Sequence, residues 1–154
     1  MPAESRFPGL EERRSFDGTL GPQYVRVMRS ANDVADQIFA AIEAGDATTV
    51  ASLYADDVIV WHNNDGVEQT KEQNLRVLHW MVRNTATREY RRIRRFAIDG
   101  GFVQQHDLHL EFDDGRIADL SACVVVAVSN GVITRIDEYL DGPAATAAFA
   151  PPAT

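Results

Sequence analysis

The stretch Asp99–Asp141, DGGFVQQHDLHLEFDDGRIADLSACVVVAVSNGVITRIDEYLD, decides the fold of this chain. It reads as three long strands, Phe102–Phe112, Arg116–Ser129 and Val132–Leu140, joined by tight turns. Asp113-Asp114-Gly115 marks the first junction. Asn130-Gly131 marks the second, where both residues tolerate the positive φ of a type I′ hairpin turn. Asp99-Gly100-Gly101 attaches an earlier strand, Arg88–Ile98. A four-stranded antiparallel meander is therefore predicted as the floor of the molecule.

Side chains alternate faces along a strand, so residues out of keeping with their face carry the information. In the last strand Val132, Thr134, Ile136, Glu138 and Leu140 share one face. Glu138 thus stands in phase with apolar neighbours, where an unpaired charge is costly. A carboxylate there is paired, protonated or working. In the first strand of the meander Gln105, Asp107, His109 and Glu111 lie opposite Gln104, His106, Leu108, Leu110 and Phe112. Periodicity leaves two readings of the odd-numbered face: solvated, or lining a polar cavity.

Outward from the meander, Ser30 or Asn32 is suited to cap a first helix. Val34, Ile38 and Ile42, widened by Ala35 and Phe39, form its apolar stripe, and Gly45 ends it. Asp46 opens a short second helix carrying Val50, Leu53 and Tyr54, which Asp56-Asp57 breaks. Val58–Asn63 reads as a short strand and Asn64-Asp65-Gly66 as a turn. Thr70 and Gln73 form a capping box for a third helix reaching about Asn84. Residues before about Arg29 read as an irregular arm, with Phe7, Leu10, Phe16, Tyr24 and Val27 available to pack on a neighbouring subunit. The Ala- and Pro-rich tail from Pro143 is expected to fray. The order is α-α-β-α-β-β-β-β, an α+β architecture of one curved antiparallel sheet with three helices enclosing a pocket.

The 154 residues suit one domain with a sizeable core, and 45% apolar with 25% charged residues is ordinary for a folded protein. A net charge of −8 opposes nucleic-acid binding. The one basic run, Arg88–Arg95, reads as a solvated or subunit-facing strand. Cys123 is the single cysteine, which excludes an intrachain disulfide and is compatible with a reducing compartment. No apolar run approaches the roughly 18 residues of a membrane span, and the N-terminus has no signal-peptide core. A cytoplasmic protein without membrane or nucleic-acid partners is expected.

Two constellations could carry chemistry. Asp107 and Glu138, if both point into a dry cavity, would raise at least one carboxyl pKa and divide acid and base roles. The bland alternative puts Asp107 in solvent and pairs Glu138 with an arginine. Trp61-His62-Asn63 could orient a substrate or water, or could be a buried Trp with locally satisfied neighbours. His79 and Trp80 on the third helix are equally ambiguous. His106 and His109 face opposite sides of their strand, and no cluster has metal-ligand spacing, so neither metal nor cofactor is implied.

Ala44-Gly45-Asp46, Leu53-Tyr54-Ala55-Asp56-Asp57-Val58, Trp61-His62-Asn63 and Gly131–Asp141 resemble the SnoaL-like branch of the nuclear transport factor 2-like superfamily. The resemblance covers about residues 30–143, between an arm at 1–29 and a flexible tail at 144–154. It implies a cone of curved sheet closed by helices over a deep pocket, and a homodimer pairing through the sheet. Members include polyketide cyclases, ketosteroid isomerases, epoxide hydrolases, dehydratases and domains that only bind. The nearest mechanistic template is the limonene-epoxide-hydrolase type. It places Asp107 and Glu138 on the paired carboxylates, and Trp61 and Asn63 on residues that hold the attacking water. Gln105 stands where that family has the bridging Arg, and Glu138 where it has Asp; losing the guanidinium favours single-proton chemistry instead.

The expected catalytic set is Asp107, Glu138 and Asn63. Trp61, Gln105, His109, Tyr54, His79 and Ile136 are the expected substrate contacts. Three functions stay open, in this order: cofactor-free acid/base catalysis by an isomerase or cyclase on a small hydrophobic molecule, a non-catalytic binding or assembly module, and epoxide hydrolysis.

Overall fold

The computed structural model describes residues 10–16 and 22–150, with side chains from Arg29 onward. Strands β1 (Leu10–Phe16) and β2 (Pro22–Met28) form an antiparallel ladder of their own. The irregular arm is therefore in part a regular hairpin. Its register sets Glu12 opposite Arg26 and Arg14 opposite Tyr24, cross-strand pairings that single-strand periodicity does not reveal. The expected packing of Phe7, Leu10, Phe16, Tyr24 and Val27 falls on side chains outside the described residues.

Helix α1 (Ala31–Ala44) starts at Ser30, whose hydroxyl accepts from the Asp33 N–H while the Asp33 carboxylate accepts from the Ser30 N–H. Two orphan donors are thereby satisfied reciprocally. Gly45, at φ 71°, ends the helix in the left-handed conformation, where a Cβ would be strained. Asp46 caps α2 (Ala47–Leu53), and the chain turns directly into β3 (Tyr54–His62). That helix ends at Leu53, before Asp56-Asp57, because Tyr54 is already paired with Ile133 of a neighbouring strand. After β4 (Glu68–Gln69), Thr70 and Gln73 form the second capping box and open α3 (Lys71–Asn84). Strands β5 (Thr85–Ile98), β6 (Gly101–Phe112), β7 (Ile117–Ser129) and β8 (Val132–Leu140) make the expected meander. Asn130 and Gly131 take φ values of 53° and 74° in the β7–β8 hairpin, as a type I′ turn requires.

The tail does not fray where expected. Residues Gly142–Phe149 form a fourth helix, α4, capped by the Asp141 side chain with Pro143 in its first turn. Alanine is the strongest helix former, and Pro costs nothing in the first turn. Ala145 and Ala148 are buried, and the Phe149 ring lies 5.6 Å from Trp80. The segment has a surface to fold against, which its composition alone does not show. No helix of the described residues is long and apolar enough to cross a membrane.

The main sheet has the order β4-β3-β8-β7-β6-β5. Its pairs are antiparallel except β3 with β8, which run parallel and set His62 beside Glu138. Across the sheet, Glu138 pairs with Val124 and Val124 with Gln104, while Leu140, Ala122 and His106 form the next row. These rows lie on the concave face, against α1 and α3. The ladders are interrupted by register shifts at Ala127/Val128 between β7 and β8 and at Arg91/Arg94 between β5 and β6, as at bulges.

Gly101 opens β6 in close contact with β7. A Cβ there would stand 1.9 Å from the Val126 carbonyl oxygen. Gly101→Ala must push two paired strands apart, and is expected to cost about 1–3 kcal/mol in chemical denaturation.

Most of the basic run on β5 is paired within the chain, and Arg94 lies over the Phe96 ring at 5.6 Å. Arg88 donates to the Ile42 and Glu43 carbonyls at the end of α1, satisfying acceptors the helix leaves open. Arg91 pairs with Glu89, Arg92 with Asp107 and Arg95 with Asp36.

Candidate functional site

The sheet curls around a cavity of about 300 Å³ between its concave face and helices α1 and α3, with α4 contributing Ala145 and Phe149. Most of the wall is aliphatic or aromatic. Ile38, Phe39 and Ile42 of α1 face Val124, Val126 and Ile136 of the sheet. His62, Asn64, Asp65, Gln69 and Asn74 form a polar edge. This volume lies at the small end of ligand pockets.

Glu138 is the only carboxylate on the sheet strands that faces this cavity among the described residues. Its Oε2 lies 3.0 Å from His62 Nε2, and the two side chains are 22% and 18% exposed. Burial alone would depress the His62 pKa. The hydrogen bond and charge of Glu138, reinforced by Asp65, outweigh it and hold the imidazole above its ordinary value. Tyr54 also faces the cavity, and its hydroxyl donates to Asn74 Oδ1 at 2.9 Å. Burial first and Glu138 second push its pKa up, and the same causes act on Tyr90. Both phenols stay protonated beside the carboxylate.

A second polar group lies deeper. His106 Nδ1 is 3.0 Å from Gln104 Nε2, and Gln104 Oε1 accepts from Arg95 Nε at 2.8 Å. Burial depresses the His106 pKa, overcoming the opposing charges of Glu138 and Asp107. The Tyr90 and Phe39 rings stand edge-on to the imidazole, with centroids 4.7 and 5.5 Å away.

The expected dyad is not assembled. Asp107 pairs across the ladder with Ser121, whereas Glu138 pairs with Val124. Ser121 and Val124 are an odd number of residues apart on β7, so the two carboxylates occupy opposite faces. On the outer face Asp107 accepts from Ser121 and is paired with Arg92. The Ser121 hydrogen bond, then Arg92, keeps its carboxyl below the usual range despite some desolvation. The bland alternative forms only in part: Asp107 lies on the outer face, but Glu138 pairs with a histidine rather than an arginine.

The other expected residues divide the same way. Ile136 and Tyr54 line the cavity with Glu138. Gln105 and His109 share the outer face with Asp107, and His109 sits between Asp119 Oδ1 at 2.7 Å and Glu111 Oε1 at 3.3 Å. Trp61 lies edge-on to Tyr139 at 5.2 Å, also outside. Asn63 uses its amide on the backbone of Leu140, accepting at 2.9 Å and donating at 3.2 Å. His79 is exposed on α3 and outside the cavity lining. Asn63 therefore ties the end of β3 to β8, and Asn63→Ala is expected to cost about 1–2 kcal/mol of stability, read by thermal unfolding.

His62, His106 and Tyr90 line the cavity and Gln104 is hydrogen-bonded to His106; the sequence reading names His62 only within Trp61-His62-Asn63 and places none of the four in the expected site set. Their signal was phase: Gln104 and His106 alternate with Leu108 and Leu110, and His62 with Val60 and Val58. Among the described residues no group of three or more His, Cys, Asp and Glu side chains is placed to hold a metal.

The SnoaL-like domain model matches residues 35–136, two thirds of the chain. The chain belongs to the SnoaL-like domain family. Solved structures place this SnoaL-like protein in the nuclear transport factor 2-like fold at low sequence identity. An NTF2-like protein of unknown function from Burkholderia pseudomallei is 14% identical, with 80% of this chain and all of that one covered and a TM-score of 0.68. A protein from Pseudomonas putida, provisionally named a polyketide cyclase, is 22% identical over 79% of this chain and 99% of that one, with a TM-score of 0.67. A protein of ketosteroid isomerase-like fold from Catenulispora acidiphila, solved with trimethylamine, is 11% identical over 79% and 100% with the same score, 0.67. No curated protein matches the chain significantly. The epoxide-hydrolase template finds no support in the site, because Asp107 and Trp61 face outward and the Asn63 amide is engaged by Leu140.

The two cavity histidines are held to opposite sides of their ordinary pKa, so their pH linkages oppose. His62 is raised: its stabilisation is complete below about pH 6.5 and fades as pH rises through the raised value. His106 is lowered: it costs stability as pH falls below that same ordinary value, because the unfolded chain takes the proton first. In Glu138→Gln the negative charge that raises His62 is lost and the hydrogen bond to it is weakened, while burial remains. The His62 pKa is expected to fall relative to the native protein, read from its ring C–H signals in an NMR pH titration.

Proposed function

We propose that this SnoaL-like domain is a cofactor-free acid/base enzyme that moves a proton on a small, mainly apolar carbonyl compound, as an isomerase or cyclase does. The observation that carries the reading is the His62–Glu138 pair at the wall of a mainly apolar cavity. Glu138, hydrogen-bonded to a histidine biased toward its protonated form, is placed to take a proton from the carbon next to a carbonyl. The C–H electron pair passes into an enolate, and the proton returns to a different carbon. For 3-cyclohexenone, loss from C2 and return at C4 would give 2-cyclohexenone. Asp107 and Asn63, expected from sequence to share the chemistry, have no part in this scheme.

The names of the solved relatives agree with this class of chemistry, while their low identity carries only the fold. A homodimer pairing through the outer face belongs to the same proposal; exposed Phe96, Val125 and Tyr139 on that face support it. So does a cytoplasmic location, supported by the unpaired Cys123.

The test uses cyclohexanone and 3-cyclohexenone in heavy water. Deuterium entering the α carbon, or the conjugated enone appearing, above the buffer rate supports the enzyme. Ligand bound in the cavity with neither product formed would make this a binding module instead.

A further inference from the structure

His106 Nε2 is buried and has no hydrogen-bond partner. Its other ring nitrogen, Nδ1, is engaged by a chain of hydrogen bonds that runs back to α1. Arg95 Nη1 donates to Asn32 Oδ1 at 2.8 Å and to Asp36 Oδ1 at 2.6 Å, which anchors the guanidinium to α1. Arg95 Nε then donates to Gln104 Oε1, and that orients the Gln104 amide so that its NH₂ faces His106 Nδ1. An amide NH₂ only donates, so Nδ1 must accept and the neutral ring must carry its proton on Nε2. Protonating Nδ1 as well would set two donors against each other, in line with the direction in which burial already drives this ring. The result is an imidazole N–H of fixed tautomer, neutral, buried and without an acceptor, on a ring that lines a mainly apolar cavity.

We propose that His106 Nε2–H is the specificity group of the cavity, selecting ligands that carry an uncharged oxygen acceptor, and that Asp36, Arg95 and Gln104 are positioning residues that fix its tautomer. A buried donor left unpaired is costly. A carbonyl oxygen satisfies it, a hydrocarbon leaves it unpaired, and an ammonium group opposes it. A site built around a polar group discriminates more sharply than an apolar wall does. Selection concerns binding, so it holds whether or not Glu138 turns the ligand over.

The test has two parts. The first is the ¹⁵N spectrum of the His106 ring in the native protein at neutral pH. It is expected to show a protonated Nε2 and a bare Nδ1, with the Nε2 signal moving when cyclohexanone binds. The second compares cyclohexanone with methylenecyclohexane, the same shape with the oxygen replaced by CH₂. Cyclohexanone is expected to bind about 5–100-fold more tightly. His106→Phe, which keeps an aromatic ring against Phe39 and Tyr90, should abolish that preference, and His106→Asn, which retains an N–H, should restore part of it. Gln104→Leu should release the tautomer, giving a mixed ¹⁵N spectrum and a smaller preference.

A proton on Nδ1 in the native protein, equal affinity for the two probes, or a preference surviving in a folded His106→Phe would each overturn the proposal. The native spectrum and the native probe comparison stand even if every variant fails to fold. Oxygen-dependent binding without deuterium exchange would uphold this inference while removing the enzymatic reading.

Discussion

Glu138→Gln is expected to lower enzyme-dependent deuterium exchange into cyclohexanone by about 10²–10⁴-fold, the range general-base removal usually costs. The amide keeps the size and a hydrogen-bonding oxygen near His62 but cannot accept a proton at neutral pH. Cyclohexanone binding should survive, because the apolar wall remains. The matched control is Asp107→Asn. That carboxylate lies on the outer face with Ser121 and Arg92, so exchange should be unchanged. Equal losses in both variants would contradict the assignment of roles by face. Exchange that persists in Glu138→Gln would remove the carboxylate from the chemistry.

Leu53→Ala is expected to destabilise the protein by about 2–5 kcal/mol, the range for deleting a buried leucine side chain. Leu53 is fully buried at the end of α2 and does not line the ligand cavity. The loss therefore reports core packing without altering the site. Native domains are stable by about 5–15 kcal/mol in total, so this change removes a large share. Urea denaturation should show a lower midpoint at an unchanged slope. Ile117, at 66% exposure, is the comparison: Ile117→Ala should stay within about 0.5 kcal/mol of the native protein. A change below about 1 kcal/mol for Leu53→Ala would mean that α2 packs less tightly than the structure shows.

The meander was legible because its signals are local. Asn130-Gly131 sets a turn by its own backbone preference, and the alternation on either side follows from the pleat. The two capping boxes at Ser30 and Thr70 were legible for the same reason, since donor and acceptor lie three residues apart. Helix α4 escaped because nothing within Gly142–Phe149 tells that Trp80 and β7 offer a surface for it. The β1–β2 ladder escaped because its register joins residues far apart along the chain, which neither strand shows alone.

The site was only half legible. Glu138, Ile136 and Tyr54 were found from phase and resemblance, and all three line the cavity. Asp107 was misassigned because alternation separates the two faces of β6 without saying which is inside. The odd face, with two carboxylates and a histidine, looked the more functional. It is instead a surface satisfied by Arg92, Ser121 and Asp119.

By itself, then, the sequence determined the α+β class, the meander with its turns, the caps of the first three helices and the presence of a carboxylate among apolar residues at Glu138. These depend on interactions spanning a few residues, which a linear reading contains. Tertiary structure alone decided which face of the sheet is enclosed, that the parallel β3–β8 pairing sets His62 against Glu138, and that Arg95 orients Gln104 against His106. Those contacts join residues 76 apart in one case and 59 apart, Asp36 to Arg95, in another. Only the closing of the sheet against its helices fixes their distances, and with them the protonation states on which the chemistry depends.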